Sequence, residues 1–334
     1  MSEPAGKVTA IPGCQGYNPD PGKPRLAIPP GSCDCHAHIF GPVDKYPYTP
    51  NRSYTPPEAS IEAYRRMLAA LEFERAVIVQ PSVYGTDNGC TRDAVAASGG
   101  RWRGVAVVEL EALSGRERSG SPLPKSREQR ETSDSLLAEL HADGFRGVRI
   151  NLLFKGGLQL DALERIVRAI HPLGWHVQLL LDGRDLPELA ERLRRLPVDI
   201  VVDHMGHMPA SLGTGHPGFQ TLLQLVREGR CWVKLSGAYR ISSMPQPYED
   251  AVPFARALVE TAPDKMVFGT DWPHPSISVP MPQDASLLDL LPAWAPDEAT
   301  RRRILLDNPA RLYDFPLAAG GETTEVRAIH GVRS

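Results

Sequence analysis

Eight short apolar runs, each separated from the next by a helical pattern, recur along this chain and leave it few architectures. They lie at 33–38, 75–80, 103–108, 145–150, 175–181, 198–203, 231–235 and 265–270. Each is rich in β-branched residues and continuous rather than alternating, as expected of parallel strands buried on both faces. Helices are predicted between them at 58–71, 88–98, 134–142, 160–172, 185–195, 217–228 and 250–262. Pro56 and Pro57 stand at the entrance of the first of these, where a missing N–H costs no hydrogen bond. Eight βα units in roughly 250 residues fit a (β/α)8 TIM barrel of the α/β class better than an open doubly wound sheet. No Gly-x-Gly-x-x-Gly follows the first strand, which argues against a dinucleotide site.

Composition narrows the partners. The 334 residues are 42% hydrophobic and 23% charged with a formal net charge of -3, an ordinary soluble composition without a basic surface for nucleic acid. The 5 cysteines (Cys14, Cys33, Cys35, Cys90 and Cys231) are odd in number and show no Cys-x-x-Cys spacing, so a disulfide framework or zinc knuckle is not expected. No apolar run approaches membrane-spanning length, and the first 30 residues lack an apolar signal core. A reduced, cytoplasmic protein is expected. The domain reading is a proline-rich arm at 1–30, the barrel at 31–316 with a polar surface insertion at 111–133, and a flexible tail at 317–334; the number of subunits stays open.

In a barrel of this kind the chemistry sits at the C-terminal ends of the strands. Those ends carry His36 and His38, Ser82, Arg149, His204 and Asp271, with Arg240 just beyond the seventh strand. Residues two apart on a strand share a face, so His36 and His38 point into one space, and Cys33 and Cys35 are expected on the other face. An isolated His-x-His is as often incidental as functional, and a lone His204 would by default be a satisfied core histidine. So many polar strand ends in one barrel shift the balance towards a site. Arg149 shares its face with Asn151, and an arginine inside a barrel needs an anion. Lys234 fits a structural ion pair as well as a functional role. His176 begins its strand at the opposite end and reads as structural.

Asp34-Cys35-His36-Ala37-His38, Val202-Asp203-His204-Met205-Gly206, Lys234-Leu235-Ser236-Gly237, Gly269-Thr270-Asp271-Trp272-Pro273-His274 and the closing Asp307-Asn308-Pro309-Ala310-Arg311-Leu312-Tyr313 resemble the amidohydrolase superfamily. Within it they are most similar to the lactonase branch related to 2-pyrone-4,6-dicarboxylate lactonase, over about residues 31–316. The resemblance implies a distorted barrel and hydrolysis of a small anionic lactone. Asp271 would be the general base, with His36, His38 and His204 polarising the scissile carbonyl. Arg149 and Arg240 would bind the substrate's anionic groups. Tyr54, Ser82, Tyr84, Asn151, His207 and His274 would contact substrate, His274 from the mouth.

Departures from the branch are equally informative. The fourth strand lacks the lysine that binuclear members carboxylate, and the fifth has no histidine at its C-terminal end. Lys155 and His207 stand where relatives carry arginine, so a lactone with one carboxylate or a sulfonate is as plausible as the pyrone dicarboxylate. No cofactor is expected to be required. If one divalent metal such as zinc binds, His36, His38, His204 and Asp271 are its ligands. Two other readings use the same residues: a metal-dependent decarboxylase of aromatic or muconate-type acids, and a binding protein without turnover.

Overall fold

The computed structural model describes residues 11–108, 127–154 and 160–316. All eight apolar runs are strands: β1 Cys33–Ala37, β2 Arg75–Val79, β3 Trp102–Ala106, β4 Phe145–Asn151, β5 His176–Leu180, β6 Ile200–Val202, β7 Cys231–Leu235 and β8 Met266–Phe268. They form one 8-stranded sheet in chain order, every neighbouring pair parallel. Around it run α1 Ile61–Leu71, α2 Gly89–Ala96, α3 Arg127–Ala142, α4 Leu163–Ile170, α5 Leu186–Arg194, α6 Pro217–Arg227, α7 Ala238–Ile241, α8 Val252–Thr261 and α9 Asp284–Leu288. This is the expected (β/α)8 barrel. The predicted segments 1–10 and 317–334, residues 111–126 of the insertion, and Lys155 lie outside the described residues.

Two boundaries differ from the sequence reading for local reasons. The first helix begins at Ile61 because the Ser60 hydroxyl accepts from the Ala63 N–H and caps it there. Its buried stripe of Ala63, Tyr64, Met67, Leu68 and Leu71 has helical spacing. Helix α3 starts at Arg127, inside the stretch read as a loop. Arg127-Glu128-Gln129-Arg130-Glu131 has no apolar period but consists of good helix formers.

The barrel closes between β1 and β8, and it closes at the polar strand ends. Beyond β8, Asp271 donates its N–H to the His36 carbonyl (2.8 Å), and His38 donates to the Trp272 carbonyl (2.8 Å). Asp34 completes the seam: its carboxylate accepts from the Thr270 N–H (2.8 Å), the Thr270 hydroxyl (2.6 Å), the Tyr64 hydroxyl (2.8 Å) and the His36 N–H (3.2 Å). Gly269 lets the strands approach, since a Cβ there would lie 2.7 Å from His36 Cβ.

The pairing of β1 with β2 slips between Asp34 and Ala37. This irregularity corrects the expectation for the cysteines. Cys33 and Cys35 pack with Val77, Val79, Val105, Val201 and Val267 from strands around the barrel, so they lie in its interior rather than on the opposite face. The slip reverses the alternation, and His36 and His38 also point inwards, above them.

The N-terminal segment is tied down from residue 11 onwards. Thr55 donates to the Pro12 carbonyl and Cys14 to the Thr55 carbonyl. Gln15 Nε2 reaches the Val279 carbonyl, and the Arg25 and Leu26 N–H groups reach Asp289. The arm thus straps the loop after β1 to the segment after β8. Among the described residues no helix is long and apolar enough to cross a membrane.

Because Asp34 satisfies so many donors at the seam, Asp34→Asn is expected to lower folding stability by about 1–3 kcal/mol. Urea unfolding measures this; an unchanged midpoint would show that the seam does not rely on the carboxylate.

Candidate active site

The inward side chains of the strand ends meet in one buried cluster. His38 Nδ1 lies 2.7 Å from the Val79 carbonyl, which can only accept, so Nδ1 carries the proton and Nε2 a lone pair. That lone pair is 3.3 Å from His36 Nε2, which makes His36 the donor of the pair. His36 Nδ1 then accepts from the Lys234 ammonium, 3.3 Å away. His204, on the turn after β6, sets Nδ1 2.9 Å from the Ser236 hydroxyl. The turn is strained: His204, Met205 and His207 all have positive φ, near 50°, and such backbone persists where the surroundings enforce it.

Asp271 is held asymmetrically. Its Oδ2 accepts from the Tyr239 hydroxyl and from Arg240 Nε, both at 2.6 Å. Its Oδ1 is buried with no hydrogen-bond partner among the described residues, and lies 3.8 Å from both His36 Nε2 and His204 Nε2. One oxygen is therefore pinned and the other is free for a water molecule. Burial alone would raise the pKa of Asp271, but the charges around it, Arg240 foremost, hold it well below the usual carboxylate range. The histidines are kept neutral. Burial, with Lys234 adding, lowers His36 to about 4. Burial likewise lowers His207 to about 4, and puts His38 and His204 well below the ordinary value. Arg240 is thus the permanent cation that keeps Asp271 ionised.

Asp203 forms a second buried centre. Its Oδ2 accepts from Arg149 Nε (3.3 Å) and Nη2 (3.2 Å) and from Gln178 Nε2 (3.1 Å). Its Oδ1 is 3.3 Å from His36 Nδ1 and 3.7 Å from Lys234 Nζ, and Lys234 also donates to Gln178 Oε1 at 2.8 Å. Three cations (Arg149, Lys234, Arg240) therefore surround two carboxylates (Asp203, Asp271). The excess positive charge favours an anionic ligand.

His38, Tyr54, Ser82, Arg149, Asn151, His204, His207, Arg240 and Asp271 line a common cavity, with Phe154, Leu180 and Pro275. The free space is about 10 Å³, the room of one water molecule, so a ring-sized ligand requires the wall to open. Larger hollows, about 840 Å³ beside Arg25 and Arg301 and about 420 Å³ beside Trp232, contain neither Asp271 nor the paired histidines. Ser82 Oγ and His207 Nε2 are buried without partners among the described residues. Asn151 lines the space while its side-chain oxygen caps the Leu153 and Phe154 N–H groups.

Two residues expected to contact substrate are placed elsewhere. Tyr84 lies behind the wall, its hydroxyl accepting from the Gly41 N–H and its ring against Tyr48. His274 lies behind Asp271, with its nitrogens at Tyr239 and Asp284. Sequence reasoning missed Tyr239, Gln178, Asp203 and Asp284. Of these, Gln178, a lone polar side chain within an apolar strand, and Asp203, an acid beside His204 at a strand end, gave a local signal.

His36, His204 and Asp271 bring ligand atoms within 4.8 Å of one another and would fit one divalent ion, provided His36 moved its proton to Nδ1, towards Asp203.

A barrel with paired histidines at the end of β1 and an acid after β8 defines a class, and comparison agrees. The amidohydrolase family model matches residues 33–315, and the chain belongs to that family. It is 39% identical over 318 residues to the 4-sulfomuconolactone hydrolase of Hydrogenophaga intermedia, an alignment covering 94% of this chain and 98% of that one. It is 37% identical over 313 residues to the 2-pyrone-4,6-dicarboxylate hydrolase of Comamonas testosteroni, covering 90% and 96%. Among solved structures, an Acinetobacter baumannii protein described as a 2-pyrone-4,6-dicarboxylic acid hydrolase, with citric acid bound, superposes with a TM-score of 0.71 at 27% identity, covering 85% and 100%.

The buried histidines give a direct test. The 15N imidazole signals of His36, His38, His204 and His207 are expected to stay those of neutral rings from about pH 8 to pH 5.5, with no transition near 6.5. Between about pH 6.5 and His36's value near 4, the unfolded chain binds protons that the native site refuses, so stability should fall as pH drops through that window. A site imidazole titrating near 6.5 would contradict this.

Proposed function

We propose that this protein hydrolyses the ring ester of a small anionic lactone, with Asp271 as general base. The observation that carries the reading is the divided carboxylate: Oδ2 is fixed by Tyr239 and Arg240, and Oδ1 is left unpaired in a cavity with room for one water. Oδ1 takes a proton as the water attacks the carbonyl carbon. The carbonyl oxygen receives a hydrogen bond from the Nε2–H of His204, while the Nε2–H of His36 stays with the His38 lone pair and holds the paired rings in place. The ring C–O bond then breaks, and the proton held by Asp271 passes to the leaving oxygen. The product is a ring-opened acid with one more carboxylate than the lactone.

The lactone hydrolases among the relatives, and the citrate held by the A. baumannii neighbour, support an acidic substrate. Arg149 and Arg240 bind its anionic group while keeping their own carboxylate partners. A divalent ion on His36, His204 and Asp271 would supply Lewis-acid polarisation of the carbonyl. Hydrolysis proceeds without one: Lys234, Arg149 and Arg240 already supply positive charge around the site, and a dication would add to their repulsion. A preorganised donor of this kind is worth about 2.7–4 kcal/mol to a developing oxyanion. An activated ester needs little more.

Asp271→Asn should lower turnover by about 10²–10⁴-fold, since an amide cannot take the water's proton. A pH-indicator screen of carboxylated and neutral lactones measures it. Absence of wild-type turnover on the carboxylated set, or near-normal turnover by folded Asp271→Asn, would overturn the reading. The arginines should separate. Arg149→Met is expected to fall mainly on charged lactones. Arg240→Met should impair charged and neutral lactones alike, because it also removes the cation that holds Asp271.

A further inference from the structure

We propose that Tyr239, His274 and Asp284 form a line of positioning residues behind Asp271 that decides which carboxylate oxygen faces the water; this rests on Asp271 being the base. The line is continuous and buried. Asp271 Oδ2 to the Tyr239 hydroxyl is 2.6 Å, the hydroxyl to His274 Nδ1 is 2.9 Å, and His274 Nε2 to Asp284 Oδ1 is 3.0 Å. None of the four side chains belongs to a residue more than 4% exposed.

Counting protons gives the line a direction. The ionised Asp271 can only accept, so Tyr239 spends its single hydroxyl proton there. The Tyr239 oxygen then offers lone pairs to His274 Nδ1, which must carry a proton. On the far side, His274 Nε2 and Asp284 share one proton across their contact. Asp284, at the start of α9, therefore sets the orientation of His274, and His274 keeps the Tyr239 proton aimed at Asp271. With a lone pair in place of the proton at Nδ1, the Tyr239 hydroxyl is free to turn its own proton towards His274, and Oδ2 keeps only Arg240.

The backbone reinforces this. His274 donates its N–H to the Asp271 carbonyl at 2.7 Å, closing a tight turn in which both residues have positive φ. The turn carries His274 behind the acid, away from the substrate. Nothing in this line touches the cavity except through Asp271, so its loss should slow the chemical step and leave substrate binding alone.

The test uses Tyr239→Phe, His274→Leu, His274→Asn and Asp284→Asn in the full chain, each checked for folding by circular dichroism. Tyr239→Phe and His274→Leu should lower kcat by about 10- to 100-fold, as is usual when a partner that orients a functional side chain is lost, with KM changed by less than about twofold. His274→Asn keeps a side-chain N–H near the Nδ1 position and should recover part of kcat. Asp284→Asn can donate its amide N–H to an unprotonated Nε2, which keeps the proton on Nδ1, and should be the mildest. Crystal structures of Tyr239→Phe and His274→Leu supply a readout independent of activity: the Asp271 carboxylate is expected to turn. If Asp271 keeps its orientation in both, or if folded Tyr239→Phe has wild-type kcat, the proposal is wrong. Wild-type protein inactive on every lactone would instead refute the proposed reaction, and the Asp271 orientation would still decide the positioning claim.

Discussion

The site depends on how the barrel closes. Strands β1 and β8 meet through one isolated bridge, Ala37 with Trp272 beyond β8, and the seam is completed by hydrogen bonds between the C-terminal end of β1 and the residues beyond β8. The Asp271 N–H bonds to the His36 carbonyl, and the His38 N–H to the Trp272 carbonyl. Three of the four residues whose backbone atoms close the fold, His36, His38 and Asp271, therefore also supply side chains of the buried cluster. Fold and site are one set of bonds here, with Asp34 joining them from below. A change that loosens the seam displaces the base and the paired imidazoles together.

The second organising feature is buried charge. Isolated ions in such a place would be costly, and each is paired: Arg149 with Asp203, Arg240 with Asp271, Lys234 with Gln178, His36 and Asp203. The pairings do more than neutralise. Arg240 occupies one oxygen of Asp271 and keeps the acid ionised. Lys234 sets which His36 nitrogen is protonated. The positive excess suits an acidic ligand, and substrate charge would then complete the balance that the protein leaves open.

Much of this architecture was legible in the sequence. Eight continuous apolar runs with helices between them have few parallel-sheet solutions, and the ends of those runs named His36, His38, His204 and Asp271. The hidden part is tertiary. The slip in β1 left no trace, because cysteine and histidine are both tolerated inside the barrel, and strict alternation put Cys33 and Cys35 on the wrong face. Arg149 and Arg240 could be read as cations awaiting an anion, but their carboxylates come from other strands. His274 looked like a mouth residue from its nearness to Asp271, and only the positive φ values of that turn place it behind the acid. Tyr239 and Asp284 meet it from distant segments that share no local pattern.

A carboxylate with one free oxygen and a neutral imidazole donor is sufficient chemistry for this site. The most direct measurement is turnover of a carboxylated lactone by chelator-treated protein shown by elemental analysis to contain no metal. The expected result is the untreated rate, unchanged when zinc or manganese is added back. Protein that is inactive until one of those ions is restored would make the histidines metal ligands and contradict the account.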